Sequence, residues 1–252
     1  MTLMSVQNLG ISLRRREVFK GISFEIQEGE FVGLIGPNGA GKTSLMRAIL
    51  GLLPHDGSSS LAAMSPRQRA RTVAWMPQSR EIAWPVSVER IVALGRLPHL
   101  ATGQRMPLAD QVRVDAAIER LGLEAYRQRA ASRLSGGEQA RALIARSLAQ
   151  DTPVLMADEP IAGLDPAHQI STMQVFRELA GDGRAVMISI HDLGLAARHC
   201  TRLILLAEGR VIADGTPHDV LTPELMAEAF GVSVWHEETA EGPVFQPLEV
   251  VK

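Results

Sequence analysis

The chain has 252 residues, 46% of them hydrophobic and 21% charged, a balance that suits a folded globular protein and excludes a disordered or fibrous one. Its 26 basic and 28 acidic side chains leave a formal net charge of −2 at pH 7, which gives no overall basic field for nucleic acid. The single cysteine, Cys200, excludes an internal disulfide and suits a reducing compartment.

Met1 to Gly10 has no charged leader followed by an apolar core, so no signal peptide is expected. No apolar run approaches the roughly 18 residues that a membrane span needs. The expectation is a soluble, cytosolic chain that cannot by itself form a channel. Ile22–Ile26 alternates apolar and polar residues and predicts a half-buried antiparallel strand, whereas Phe31–Ile35 is nearly all apolar, as a strand covered on both faces would be. Gly36 to Gly41 is a glycine-rich turn, Lys42–Leu50 has the spacing of a buried helix, and Gly57–Ser60 reads as a short polar loop. Residues 79–150 read mainly helical, with apolar positions three and four apart in Val88–Leu94, Leu108–Leu121 and Glu138–Gln150. Strand character returns at Val154–Ala157 and Ala185–Ile190, separated by a helix around His168–Ala180, and Leu203–Asp214 reads as a hairpin turning at Glu208-Gly209. Strands alternating with helices predict an α/β fold with a mainly parallel sheet. An antiparallel β subdomain near the N-terminus and an inserted helical subdomain complete it. The expected organisation is one domain, residues 1–252, with 1–78 and 151–252 as the nucleotide-binding core and 79–150 as the helical insert.

Gly36-Pro37-Asn38-Gly39-Ala40-Gly41-Lys42-Thr43 fits the pattern G-x-x-x-x-G-K-S/T, between an apolar strand and a helix. Glycines there let backbone N–H groups converge on phosphate oxygens, and the helix that follows points the positive end of its dipole at the anion. Lys42 would reach the β- and γ-phosphates and Thr43 would ligate Mg²⁺, with the cradle running on through Ser44. The motif predicts a P-loop site for a nucleoside triphosphate. Val154–Ala157 then runs into Asp158-Glu159-Pro160, which puts two carboxylates at the carboxyl end of a buried strand, the edge where open α/β sheets bind ligands. Asp158 can hold the Mg²⁺ shell while Glu159 orients or deprotonates an attacking water.

Leu134-Ser135-Gly136-Gly137-Glu138 resembles the signature motif of ATP-binding-cassette (ABC) ATPases, and Ser135 with Glu138 is equally a helix-capping box. Both readings can hold, because a capping serine and two glycines leave N–H groups available to an anion. The resemblance implies that ATP and Mg²⁺ are sandwiched between two copies of the chain, with Ser135, Gly136 and Gly137 of one copy facing the γ-phosphate held by the other. Gln78, in Met76-Pro77-Gln78, resembles the family's glutamine loop, which contacts Mg²⁺ and the attacking water. Gly163-Leu164-Asp165 resembles the loop that crosses the dimer interface. His191 resembles the switch histidine that bonds the γ-phosphate, so Glu159 and His191 are the catalytic candidates and Thr43, Gln78 and Asp158 the metal ligands. The spacing of these motifs suits a transporter cassette rather than a chromosome-maintenance ATPase split by coiled coils.

The family usually places an adenine-stacking aromatic residue where this sequence has Leu13, and the nearest aromatic, Phe19, is either its substitute or core. Arg14–Arg16 reads as a solvated turn or as a ribose or phosphate contact. The resemblance further implies integral-membrane permease subunits as partners, indirectly a substrate-binding protein, no nucleic acid, and a peripheral place on the cytoplasmic face of the membrane. Ile82 and Trp84, just beyond the glutamine loop, are either permease anchors or subdomain core. Val92-Ala-Leu-Gly-Arg96-Leu-Pro-His99 and the tail from Val234 to Pro247 are similar to the importers of iron–siderophore, haem and vitamin B12 complexes. A zinc or manganese importer is the near competitor, with a non-transport ABC ATPase or a monomeric P-loop kinase or GTPase behind it.

Overall fold

The computed structural model describes the chain except for Arg14, Arg15, Arg80, Glu81, Ala83, Trp84, Glu241 and Lys252, and except for the side chains of Leu13 and Arg16. The expectations resting on Leu13's side chain, on Arg14–Arg16 and on Trp84 therefore fall outside the described residues. Two compact units are present, residues 1–64 with 176–252, and residues 65–175.

The first unit opens with an antiparallel pair, β1 (Thr2–Leu13) and β2 (Arg16–Gln27). Ile22, Phe24 and Ile26 of β2 are buried while Ser23 and Glu25 face solvent, as the alternation predicts. Phe19 is 1% exposed, so it is core. All five residues of β3 (Phe31–Ile35) are buried, and α1 (Lys42–Ile49) follows the glycine turn. The stretch expected as a polar loop is instead β4 (Asp56–Ser59), paired with the free edge of β1. Its strand character comes from backbone pairing and not from apolar side chains, and Gly57 permits it. A Cβ there would stand 2.2 Å from the Asn8 carbonyl oxygen, and its φ is 76°.

The second unit begins with α2 (Pro66–Thr72) and β5 (Val73–Met76). Next come α3 (Val88–Ala93), a 3-10 turn over Leu94–His99, α4 (Leu108–Arg120), α5 (Gly136–Ala149) and β6 (Val154–Asp158). The helices bury one face each, through Val88, Ile91 and Val92, through Val114 and Ile118, and through Ala140, Ile144 and Ala145. β6 runs parallel to β5, and α6 (Pro166–Gly181) leads out of the unit.

The first unit resumes with β7 (Ala185–Ser189), α7 (Leu193–His199), β8 (Arg202–Ala207) and β9 (Arg210–Gly215). β3 lies between β7 and β8 and is parallel to both, with β9 antiparallel on the far edge of β8. The parallel strands are buried on both faces, and Phe31 meets Phe176 edge to face at 6.1 Å. Glu208 (φ 49°) and Gly209 (φ 73°) make the expected hairpin turn. Two short helices, α8 (Pro217–Val220) and α9 (Pro223–Phe230), precede a tail hairpin, β10 (Val232–Thr239) and β11 (Gly242–Val250). No helix among the described residues is long and apolar enough to cross a membrane.

Candidate functional site

In the first unit, β3 delivers the chain into the glycine cradle. Gly36 sits at φ 149°, and a Cβ there would be 2.0 Å from the Leu206 carbonyl oxygen of β8. Only a bare α-carbon lets the cradle turn this close to the neighbouring strand. Gly39 (φ 81°) and Gly41 (φ 98°) also take left-handed conformations, and Gly41 is the N-cap of α1. No acidic side chain lies in the first turn of α1, so no carboxylate there offsets the positive end of its dipole. Lys42 is 7% exposed, and its Nζ donates to the carbonyl oxygens of Gly36 at 2.7 Å and Pro37 at 3.1 Å. The ammonium is thus held against the loop by backbone acceptors that a phosphate oxygen can replace.

Gly36, Pro37 and Asn38 form one wall of a cleft of about 520 Å³, and His191 and Asp192 form another. His191 is exposed just beyond β7, and Asp192 caps α7 by accepting from the Leu195 N–H at 2.8 Å. The structure therefore brings the cradle and His191 to one cleft. Sequence reasoning missed the third wall, which includes Phe245 and Gln246 of the tail hairpin. A second hollow, about 680 Å³, lies on the other side of the cradle between Glu17-Val18 and Glu208-Gly209.

In the second unit, all of β6 is buried, and Asp158 at its end is 1% exposed. Glu159 follows at φ 49°, the left-handed region in which a residue with a Cβ is strained. Gln78 is exposed two residues beyond the end of β5. Ser135 caps α5 in a complete capping box: its Oγ accepts from the Glu138 N–H at 3.3 Å, and Glu138 Oε2 accepts from the Ser135 N–H at 2.7 Å. That second bond holds the Glu138 carboxyl below its usual range. Gly136 opens on empty space, and a Cβ on Gly137 would make ordinary contact with Leu164. Asp165 accepts from the His168 N–H at 3.0 Å and pairs with His168 Nδ1 at 2.6 Å, which also lowers its carboxyl. Ile82 is half-buried.

The candidate metal donors, the Thr43 hydroxyl, the Gln78 amide and the Asp158 carboxylate, are all hard oxygens and fit Mg²⁺. Among the described residues, no group of three His, Cys, Asp or Glu is placed to hold a metal ion alone.

The ABC transporter family profile matches residues 19–162. A cobalamin import ATP-binding protein, BtuD of Halobacterium salinarum, is 42% identical over 241 residues, 93% of this chain; the chain spans 60% of that relative's length. A hemin import ATP-binding protein, HmuV of Pseudomonas fluorescens, is 40% identical over 250 residues, covering 95% of this chain and 96% of its own. A manganese transport ATP-binding protein, MntB of Halalkalibacterium halodurans, is 34% identical over 230 residues, covering 90% of this chain and 92% of its own. Among solved structures, an inward-facing ABC transporter described as of metal-chelate type aligns with a TM-score of 0.87 at 25% identity, over 99% of this chain and 98% of its own. With the glycine cradle built on β3, the signature on the N-terminus of α5 and a family match through both, the chain belongs to the ABC transporter family.

Proposed function

We propose that this chain is the ATP-hydrolysing subunit of a membrane importer for iron–siderophore, haem or cobalamin-type chelates. The observation that carries the reading is the cleft that the glycine cradle shares with His191. The cobalamin and hemin import relatives supply the cargo class. The manganese relative supports a second reading, with the same motor and a metal-ion cargo.

In this reading Lys42 Nζ and the backbone N–H groups of residues 36–44 other than Pro37 bind the triphosphate of ATP, and the base lies toward the hollow beside Val18. Thr43, Asp158 and Gln78 would hold Mg²⁺, which supplies charge neutralisation at the phosphates. Glu159 aligns water and takes its proton, and the strain at its φ is consistent with a backbone that aims the carboxylate at one place. His191 bonds the γ-phosphate from the cleft wall. Ser135, Gly136 and Gly137 of a second copy close the pocket, with Asp165 at the interface between copies, so that neither copy hydrolyses ATP alone. Residues 79–150 act as the helical subdomain that meets the permease, and the assembly sits at the cytoplasmic face of the membrane beneath the permease and its substrate-binding protein.

Glu159→Gln tests this. With Mg²⁺ and ATP the variant is expected to lose turnover, to pair with a second copy and to retain unhydrolysed ATP. Full turnover in the variant would remove Glu159 from its role, and ATP retained by single chains would remove the shared pocket.

A further inference from the structure

The stretch Gly95-Arg96-Leu97-Pro98-His99 has no part in the mechanism above, yet it makes several polar contacts within the second unit. Arg96 is 3% exposed. Its Nε and Nη2 both reach Asp110 Oδ1 of α4, at 2.9 and 2.7 Å. Its Nη1 donates to the carbonyl oxygens of Ala149 at 2.7 Å and Gln150 at 3.1 Å, the last residue of α5 and the residue that caps it. His99 Nε2 lies 2.8 Å from the same Gln150 oxygen, and since a carbonyl only accepts, Nε2 carries the proton. Two donors, one of them a cation, thus satisfy the carbonyls that a helix end leaves without partners.

Gly95 lets this happen. A Cβ there would stand 2.2 Å from the Arg146 carbonyl oxygen and 3.0 Å from the Gln150 nitrogen, so the turn lies directly on the backbone of α5. Gln150 continues the connection, its Nε2 donating to the carbonyl oxygens of Ala70 at 2.7 Å and Val73 at 3.1 Å, where α2 ends and β5 begins. The hydroxyl of Thr152 accepts from the Ala74 N–H at 3.0 Å and donates to the Val154 oxygen at 2.7 Å. Arg71 of α2 donates back to the Pro98 carbonyl at 2.9 Å. The C-terminal end of α5 and the start of β5 are therefore stapled together from several sides. At the other end of α5, about 21 Å away at 1.5 Å per residue, is Ser135. Beyond the other end of β5 is Gln78.

We infer that Gly95, Arg96 and His99 form a positioning bracket that locks the signature-bearing helix α5 to the strand feeding Gln78, so that Ser135 and Gln78 meet nucleotide as parts of one rigid piece. The inference rests on the roles proposed for those two residues. The polar partners of the bracket, Arg71, Asp110, Ala149 and Gln150, are not among the residues assigned to nucleotide or Mg²⁺. Loosening it spares the P-loop and disturbs the closed, reacting geometry, which lowers kcat more than it raises KM.

The test uses the full chain with His99→Ala, His99→Gln and Gly95→Ala, read by steady-state ATP turnover and by amide hydrogen exchange without nucleotide. His99→Ala is expected to lower kcat at least fivefold with the KM for ATP within twofold of the wild type. Amides of residues 146–150 should exchange at least tenfold faster while those of α1 are unchanged. His99→Gln, whose amide N–H can reach the Gln150 carbonyl, should restore both to within twofold. Gly95→Ala should act as His99→Ala does or more strongly; if it does not fold, the His99 pair decides. Faster exchange with unchanged kcat would make the bracket a mere staple, and reduced kcat with unchanged exchange would place its effect elsewhere; either result overturns the inference. A wild type without turnover would instead sink the proposed function, whereas wild-type turnover matched by every folded variant sinks the bracket alone.

Discussion

Replacing Ser135 by alanine separates its two roles, because they differ in size and in the assay that reads them. In the free chain the serine is a helix cap: its Oγ accepts from the Glu138 N–H at 3.3 Å. Ser135 is exposed, so water can take over that N–H, and the loss should be about 1 kcal/mol. For a chain of this size that lowers the melting temperature by roughly 2–4 °C. Against a total stability of about 5–15 kcal/mol, the variant stays folded at 25 °C, so instability cannot lower its turnover. A hydrogen bond from the serine to a phosphate oxygen is larger, about 1.5–3 kcal/mol, and its loss in the reacting state slows turnover roughly ten- to a hundredfold. Ser135→Asp is the control, since aspartate caps as well as serine but repels phosphate. It should melt within about 1 °C of the wild type and lose turnover at least as far as the alanine variant. Calorimetry and ATP turnover on the three proteins decide the matter. If alanine melts 2–4 °C lower and turns over ATP at the wild-type rate, Ser135 is a cap and nothing more.

Gly36→Ala puts a Cβ 2.0 Å from the Leu206 carbonyl oxygen, and backbone there cannot yield without moving the cradle; ATP affinity should fall at least tenfold, as measured by equilibrium binding, and unchanged affinity would show the cradle to be adaptable. Cys200 is buried and its thiol is pushed up by desolvation, so in the native chain at pH 8 it should resist a thiol reagent that modifies the denatured chain at once; equal rates would contradict its burial. Glu138 and Asp219 both have lowered carboxyl pKa values, from the Ser135 N–H in one case and the Thr216 hydroxyl in the other. Their stabilising effect is therefore present above the ordinary values of 4.5 and 3.8 and is lost as pH falls below them; denaturant midpoints measured from pH 6 to pH 3 should drop in that lower window, and a flat profile would refute the assignment.

The parts of the site that were legible in the sequence are those whose chemistry is local. The cradle is a contiguous pattern between a continuous apolar strand and a helix, and Ser135-Gly136-Gly137-Glu138 carries its capping box in four successive residues. Among the elements that were not legible, three show the physical reason clearly. β4 is polar and held by backbone pairing and by the Ser59 hydroxyl, which donates to the Ile49 carbonyl oxygen at 2.6 Å, so no periodicity marks it. α2 has no buried residue and thus no apolar stripe, although Ser65 and Gln68 form a capping box that could have revealed it. The tail hairpin is mostly half-buried or exposed and carries Pro243 and Pro247, which prolines in a two-stranded ribbon allow but which weaken any strand pattern. Its contribution to the cleft, through Phe245 and Gln246, is a long-range contact with no local signature. The same holds for Arg96, whose partners on α4 and α5 only the folded chain brings together.

The central claim is that one copy's cradle and the other copy's signature make a single pocket, and subunit mixing tests it most directly. In a Glu159→Gln background, a Lys42→Ala chain lacks a working cradle and a Ser135→Asp chain lacks a working signature, so neither should occlude ATP alone. Mixed with Mg²⁺ and ATP, the two should form one intact composite pocket and occlude one nucleotide per pair of chains. Either variant occluding ATP by itself, or a mixture that occludes none, would contradict the account.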